Sequence, residues 1–193
     1  MKKLCLAFLL VASLQLVHAD NVLKNSDFTD GALSWHGDGR TPADMKPQDS
    51  LDTNNNYGDQ GLIIPLRGHT WTKIVQEFKT RNSSLTLNIT YKLAPNTTFS
   101  TVSEDYVNVP HSIGFDAWPP FNGKKGSWMT MVSDFSKATL FYSNITPKPG
   151  STDQQTESEP IVSLIPENEK TICLAFPPGT GAVILLHVSL DTK

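Results

Sequence analysis

Two stretches show the clearest alternation of apolar and polar residues. Between Leu85 and Leu93 every second residue is apolar, and the residues between are Thr, Asn, Thr and Lys. A period of two with one wet face is typical of a strand in an antiparallel sheet. In the second stretch, 169–190, two alternating apolar runs flank a Pro-Pro-Gly-Thr-Gly segment at 177–181. Because such turn residues do not continue a ladder, the pattern predicts a β-hairpin.

The second arm of this hairpin, 182–190, is apolar on both faces. Val183 and Leu185 make its second face apolar, so we expect the arm inside a sheet, flanked by strands from distant sequence. The predicted core residues of the alternating strands are Leu87, Ile89, Tyr91, Ile172, Leu174, Ile184, Leu186 and Val188.

Shorter apolar runs predict further strands, and no stretch sustains a helical period of 3.6 residues. The chain contains 13 prolines and 12 glycines, which punctuate these runs. The pattern predicts an all-β fold, an antiparallel β-sandwich. Segment 146–160 is poor in apolar residues and is predicted to be a flexible loop. The further strands are expected at 21–28, around Trp35, and at 61–66, 71–79, 107–110, 112–115, 128–132, 139–145 and 161–165.

The first 19 residues have the three parts of a secretory signal peptide. Lys2 and Lys3 precede an apolar run at 4–17, and Ala19 ends a small-residue cleavage pattern. The apolar run is shorter than the roughly 20 residues of a membrane-spanning helix, so we do not expect membrane insertion. Residues 20–193 would form a single exported domain, either secreted or periplasmic.

Charge and cysteine content narrow the classes of partner. Removing Lys2 and Lys3 from 16 basic side chains, against 19 acidic ones, leaves a net charge near −5. That charge argues against nucleic acid as a partner.

Cys173 is the single cysteine beyond the signal peptide. It either pairs between chains or is a small buried apolar residue, and we favour burial. Nothing in the sequence indicates an oligomeric state.

The segment N-V-L-K-N-S-D-F-T-D-G-A-L-S-W at 21–35 resembles the opening of galactose-binding-like jelly rolls. It is most similar to carbohydrate-binding modules, and I-V-Q-E-F at 74–78 resembles a strand of the same modules. The similarity covers 21–78 and 169–190. It implies a jelly-roll topology, with the first and last strands side by side.

The same resemblance implies a secreted, non-catalytic domain that binds a polysaccharide or glycoconjugate. Modules of this kind stack sugars on aromatic rings. Trp118 and Phe121 flank two prolines in a stiff loop, and Tyr57 and His36 lie in another loop. These four are the candidate ligand-binding residues, although packing of the 116–127 loop also accounts for Trp118 and Phe121. Three other tryptophans lie in predicted strands and are expected in the core: Trp35, Trp71 and Trp128.

The resemblance also raises structural calcium, which such modules often hold between the first turn and the last strand. Asn25, Asp27 and Asp30 would supply oxygen ligands near the first turn. The acidic residue expected on the final strand is replaced by His187. We therefore expect no cofactor, with a calcium site at the first turn as the alternative.

Motifs of catalysis are missing from the sequence. It contains no H-E-x-x-H, no G-x-S-x-G and no Cys/His cluster with zinc spacing. Two other functions compete with sugar binding: a structural or adhesive exoprotein, and a small jelly-roll hydrolase or lyase. Titration with sugars separates binder from adhesin, and product formation separates enzyme from both.

Four N-x-S/T sequons begin at Asn82, Asn88, Asn96 and Asn144. In a eukaryotic secretory pathway each would be an acceptor for an N-linked glycan.

Overall fold

The computed structural model describes residues 20–30, 32–37, 61–66, 72–99, 126–134, 139–162, 164 and 166–192. Eleven strands lie in this part of the chain, and it contains no helix. The strands are β1 (His36–Gly37), β2 (Leu62–Pro65), β3 (Thr72–Phe78), β4 (Leu85–Leu93), β5 (Thr98–Phe99), β6 (Trp128–Asp134), β7 (Thr139–Ile145), β8 (Gln155–Ile161), β9 (Lys170–Phe176), β10 (Gly179–Thr180) and β11 (Ala182–Thr192).

These strands form a β-sandwich of two antiparallel sheets. One sheet has the order β1-β3-β9-β6-β7, the other has the order β2-β11-β4-β8, and β5 pairs with β10 separately. All strand pairs in the described part of the chain are antiparallel. The all-β, antiparallel β-sandwich prediction is therefore confirmed.

The core lies between the two sheets. Along β4 the apolar residues are buried and the polar residues between them are half-buried, as the alternation predicts. Aromatic rings join the two layers: Trp128 stacks on Phe176 at 4.8 Å between centroids, and Tyr91 from the opposite sheet meets Trp128 edge-on at 5.4 Å. The predicted core positions Leu87, Ile89, Tyr91, Ile172, Leu174 and Val188 are all within this core.

The last strand is internal to its sheet, as its two apolar faces predict. β11 lies between β2 and β4, both distant in sequence. Beside its end, Asn21 forms an isolated bridge with Asp191, and the Val22 N–H donates to the Leu190 carbonyl at 3.0 Å. Residues 21–22 thus lie beside the end of β11, as the resemblance implies, although the strand predicted at 21–28 is reduced to this single bridge.

The predicted terminal hairpin is wrong. β9 pairs with β3 and β6, whereas β11 belongs to the other sheet. The segment 177–181 therefore crosses between sheets. Within it β10 pairs with β5, and Gly181 takes a φ of 83°, which favours glycine. A hairpin turn and a sheet crossing share the same turn residues, so composition did not distinguish them.

The assignment of Leu186 to the core is also wrong, because β11 contains a bulge. Its register against β4 shifts between Leu185 and His187, so one extra residue reverses the alternation. Val183 and Leu185 face the core with Val188. Ile184 is buried in a separate cluster with Ile63, Ala94 and Ala182, against which Leu186 is only half-buried.

The flexible loop predicted at 146–160 contains part of a strand. β8 pairs with β4 along seven residues and forms the edge of its sheet. An edge strand has one neighbour and an accessible flank, so it tolerates polar side chains and a proline such as Pro160. The low apolar content of 155–160 therefore reflects the position of β8 at the edge of its sheet, and not a flexible loop. The strands predicted at 107–110 and 112–115 lie outside the described residues.

Candidate functional site

The outer face of the five-stranded sheet combines apolar and polar side chains. Backbone register places one residue from each strand in a row across the sheet: His36, Val75, Cys173, Met131 and Tyr142. Since strands are about 4.8 Å apart, this row spans about 19 Å. A second row contains Lys73, Ala175, Met129 and Asn144. We call these two rows the outer face.

The centre of the outer face is closed to solvent. Val75, Met129, Met131, Cys173 and Ala175 form one buried apolar cluster, with Tyr142 half-buried against it. Burial raises the pKa of the Cys173 thiol to about 12, and the nearby Lys73 ammonium acts in the opposite direction. Burial of Cys173 as a small apolar residue is therefore confirmed.

Polar chemistry concentrates where the outer face ends at β7. The Tyr142 hydroxyl donates to Asn144 Oδ1 at 3.2 Å, and both side chains are half-buried. Burial raises the pKa of the Tyr142 hydroxyl, so it remains a neutral donor at physiological pH. We call Tyr142 and Asn144 the β7 rim. An aromatic ring beside a carboxamide offers both an apolar surface and hydrogen bonds.

Sequence reasoning did not single out the β7 rim. The signal was present, because residues two apart on a strand share a face. Tyr142 and Asn144 have that spacing within the strand predicted at 139–145. The sequence does not show that β7 pairs with β6 alone within its sheet. That pairing places both residues at the edge of the sheet.

Part of the outer side of the other sheet is polar, and the polar groups there bond to each other. Asp191 Oδ2 accepts from Asn88 Nδ2 at 2.7 Å and from Ser189 Oγ at 2.9 Å. The Ser158 hydroxyl donates to Asn88 Oδ1 at 2.7 Å. Because no described aromatic belongs to this network, the β7 rim, which includes the ring of Tyr142, is the better candidate for a ligand.

The predicted binding residues are only partly within the described chain. Trp118, Phe121 and Tyr57 lie outside it. The expectation that His36 lies in a loop is wrong, because its backbone pairs with Val75 and forms β1, the edge strand opposite β7. Trp35 and Trp128 are buried in the core, as expected.

The first turn uses the candidate calcium ligands to hold its own backbone. Asn25 Oδ1 accepts from the Asp30 N–H at 3.2 Å, and Asn25 Nδ2 donates to the Leu33 carbonyl at 2.9 Å. The Asn25 carbonyl accepts from the Trp35 indole at 3.2 Å. Asp27 Oδ1 accepts from the Thr29 N–H and hydroxyl, which lower the pKa of Asp27.

These residues fit a calcium ion poorly. Ca²⁺ takes six to eight oxygen ligands, several of them carboxylates. At the first turn the Asn25 and Asp27 oxygens named above already accept intrachain hydrogen bonds. Across the described residues no group of three or more His, Cys, Asp or Glu side chains could hold a metal ion.

Within the described part of the chain no helix is long and apolar enough to cross a membrane.

No protein-family model matches the sequence. No curated protein matches it significantly either.

Solved structures match the fold at low sequence identity. TmCBM61 in complex with β-1,4-galactotriose aligns with 91% of this chain and 100% of its own, with a TM-score of 0.54 and 11% identity. An arabinose-bound MgGH51 α-L-arabinofuranosidase aligns with 89% of this chain, at a TM-score of 0.56 and 10% identity. The enzymatically active domain of the bacteriophage CBA120 tailspike protein 4 aligns with 88%, at 0.51 and 11%.

The extent of these alignments differs. This chain corresponds to 26% of the arabinofuranosidase chain and 21% of the tailspike chain, but to the whole of TmCBM61. The resemblance seen at 21–35 and 74–78 is thus confirmed for the fold: the chain has the β-sandwich jelly-roll fold of carbohydrate-binding modules.

Proposed function

We propose that this protein binds carbohydrate non-covalently, through the β7 rim and the aromatic loop at 116–127. The observation that carries the proposal is the Tyr142–Asn144 pair, which lies on a sheet edge of a fold shared with a galactotriose-bound module. The chemical class is a polysaccharide or glycoconjugate.

The physical argument rests on the mixed character of sugars. A pyranose presents C–H groups on one side and hydroxyls around its edge, so it needs an apolar surface next to hydrogen-bond partners. Tyr142 offers a ring and a hydroxyl, and Asn144 offers an amide with both donors and an acceptor. Each hydroxyl that binds must first lose water, so the affinity per site is weak.

The proposal retains the aromatic residues predicted from the sequence. Trp118 and Phe121 would form a stacking platform, and the two intervening prolines would restrict its backbone before the ligand arrives. Tyr57 would add a polar contact. His36, on the edge strand opposite β7, would contact only a ligand long enough to span the sheet.

A pull-down on a panel of insoluble polysaccharides tests this function. The mature protein should be retained by at least one polysaccharide. Trp118→Ala should lose retention while its melting temperature stays close to that of the wild type. Unfolding of Trp118→Ala would instead place Trp118 in the core and remove it from the site. Retention by no glycan would favour the adhesive alternative.

We also propose that binding is not followed by catalysis. The lack of H-E-x-x-H, G-x-S-x-G and zinc-spaced Cys/His motifs in the sequence supports this. The same panel, incubated with the protein and assayed for new reducing ends or unsaturated products, should show no release. Product formation would identify a hydrolase or lyase.

Metal dependence follows from the first turn. Since Asn25 and Asp27 oxygens accept intrachain hydrogen bonds, we propose that no calcium is needed. The melting temperature should be the same in excess EDTA and in excess CaCl₂. A higher melting temperature in calcium would contradict this and identify a structural ion.

Finally, we propose export with cleavage after Ala19. The intact mass of the exported protein should correspond to residues 20–193. A mass that retains the first 19 residues would contradict the proposed cleavage.

A further inference from the structure

The four sequons differ in structural setting, and the proposed function uses none of them as modification sites. We propose that Asn82 and Asn96 carry N-linked oligosaccharides in a eukaryotic secretory pathway, and that Asn88 and Asn144 do not. Glycan acceptors are bulky once modified and belong on surface turns. Asn82 and Asn96 lie in such turns, whereas Asn88 and Asn144 lie in strands.

Asn82 lies in the exposed turn between β3 and β4. Two backbone hydrogen bonds from the segment before β9 hold this turn. The Leu164 N–H donates to the Ser83 carbonyl at 2.8 Å, and the Glu167 N–H donates to the Thr80 carbonyl at 2.9 Å. Within the described chain the Asn82 side chain has no hydrogen-bond partner, and its residue is exposed. A sugar on Asn82 Nδ2 therefore replaces water and breaks no contact.

Asn96 lies in the turn after β4, and this turn is also held by its neighbours. The Thr97 hydroxyl donates to the Ala94 carbonyl at 2.6 Å, and the Thr97 N–H donates to the same carbonyl at 3.2 Å. Asn96 is exposed with a φ of 60°, a backbone region that Asn tolerates. Its side chain is not used to hold the turn.

Asn88 has the opposite environment, in the middle of an internal strand. β4 is paired on both sides, by β11 and β8. Asn88 Nδ2, the atom that would be glycosylated, donates to Asp191 Oδ2 at 2.7 Å, and Asn88 Oδ1 accepts from Ser158. Modification would disturb the link between three strands.

Asn144 is half-buried on β7 and accepts the Tyr142 hydroxyl. A glycan at Asn144 would cover the ring of Tyr142. Asn82 and Asn96, by contrast, lie beyond the two ends of β4, a strand of nine residues, about 30 Å long, in the other sheet. Glycans there leave the β7 rim accessible.

The reaction is a transfer of a preassembled glycan. The donor is a lipid-linked oligosaccharide pyrophosphate. The bond between the sugar C1 and a phosphate oxygen breaks, a bond between C1 and the Asn Nδ2 forms, and the amide loses one proton as the lipid pyrophosphate leaves. No electrons are exchanged and no metal of this chain takes part.

The experiment is expression of the full-length chain in a eukaryotic secretory cell line, followed by site mapping. Digestion with peptide N-glycosidase in H₂¹⁸O converts each glycosylated Asn to a labelled Asp. We expect label at Asn82 and Asn96 in most copies, and unmodified Asn88 and Asn144. Asn82→Gln and Asn96→Asp should each remove one glycan from the intact mass. Asp suits position 96 because it tolerates a positive φ.

Matched controls separate the sequon from the asparagine. Ser84→Ala destroys the first sequon with Asn82 retained and should remove the same glycan as Asn82→Gln. Thr98→Ser preserves the other sequon and should leave both glycans in place. Protein recovered with Asn82 and Asn96 unmodified would overturn the proposal. Label at Asn88 or Asn144 in most copies would overturn its selectivity.

Discussion

Leu185 and Leu186 are adjacent on β11 and therefore face opposite sides of the sheet, and the β11 bulge lies between Leu185 and His187. Leu185 is fully buried between the sheets, whereas Leu186 is half-buried on the other side. Leu185→Ala should lower the free energy of unfolding by about 2–5 kcal/mol, as buried leucine truncations do. Leu186→Ala should lower it by about 1 kcal/mol. Urea denaturation measures both, and equal losses would contradict the placement of Leu185, and not Leu186, in the core.

Cys173 links stability to alkaline pH. Burial raises its pKa in the folded state from 9.0 to about 12, so between these values the unfolded chain loses the thiol proton while the folded chain retains it. The contribution to stability is complete below pH 9 and is lost as pH rises toward 12, by about 1.4 kcal/mol per unit. The Cys173→Ala variant has no thiol and therefore lacks this pH-dependent contribution to the free energy of unfolding.

Urea denaturation of the wild type and of Cys173→Ala at about pH 8 and about pH 10.5 measures the effect. The stability of the wild type relative to the variant should fall between the two pH values. In parallel, a thiol reagent should label Cys173 only after denaturation. A constant difference between the two proteins, or rapid labelling of the folded protein, would show that the thiol is accessible.

Among the elements, the crossing segment 177–181 decides the topology. Gly181 has a φ of 83°, and a Cβ there would come within 2.5 Å of Thr97 Oγ1. That hydroxyl also accepts from the Ala182 N–H at 3.2 Å, so it has little freedom to move. The crossing thus depends on a residue without a side chain.

Gly181→Ala should destabilise the domain by about 1–3 kcal/mol from backbone strain, plus the cost of the contact with Thr97. Gly150→Ala is the matched control, because Gly150 also has a positive φ, 70°, but a Cβ there meets no atom within 4 Å. Thermal unfolding should show the larger loss for Gly181→Ala. Equal losses would mean that the crossing segment is not packed against Thr97.

The elements that sequence predicts well are those whose alternation is imposed by one core face. β4 was predicted at its observed bounds for this reason. β8 was missed because an edge strand need not be apolar, and the terminal hairpin was assigned because turn residues do not specify which sheet follows them. The alternation that predicts which residues are buried can be seen within one short segment. The pairing of strands that are distant in sequence cannot.

At the scale of the whole molecule, the jelly-roll fold was accessible from two short motifs, but the candidate site was not. The motifs at 21–35 and 74–78 include core and turn residues such as Trp35 and Asn25, which build the fold. The β7 rim depends on which strand ends a sheet. Ligand contacts follow from edges and loops, which the fold motifs do not determine.

The central claim is carbohydrate binding at the β7 rim, and calorimetric titration tests it most directly. The titrant is a soluble oligosaccharide prepared from a polysaccharide that retains the protein. Tyr142→Ala should bind at least about tenfold more weakly than the wild type, a loss of about 1.4 kcal/mol. Thr156→Ala, an exposed residue on β8 in the other sheet, should bind like the wild type. Unchanged affinity in a folded Tyr142→Ala protein, or no heat of binding from the wild type, would contradict the account.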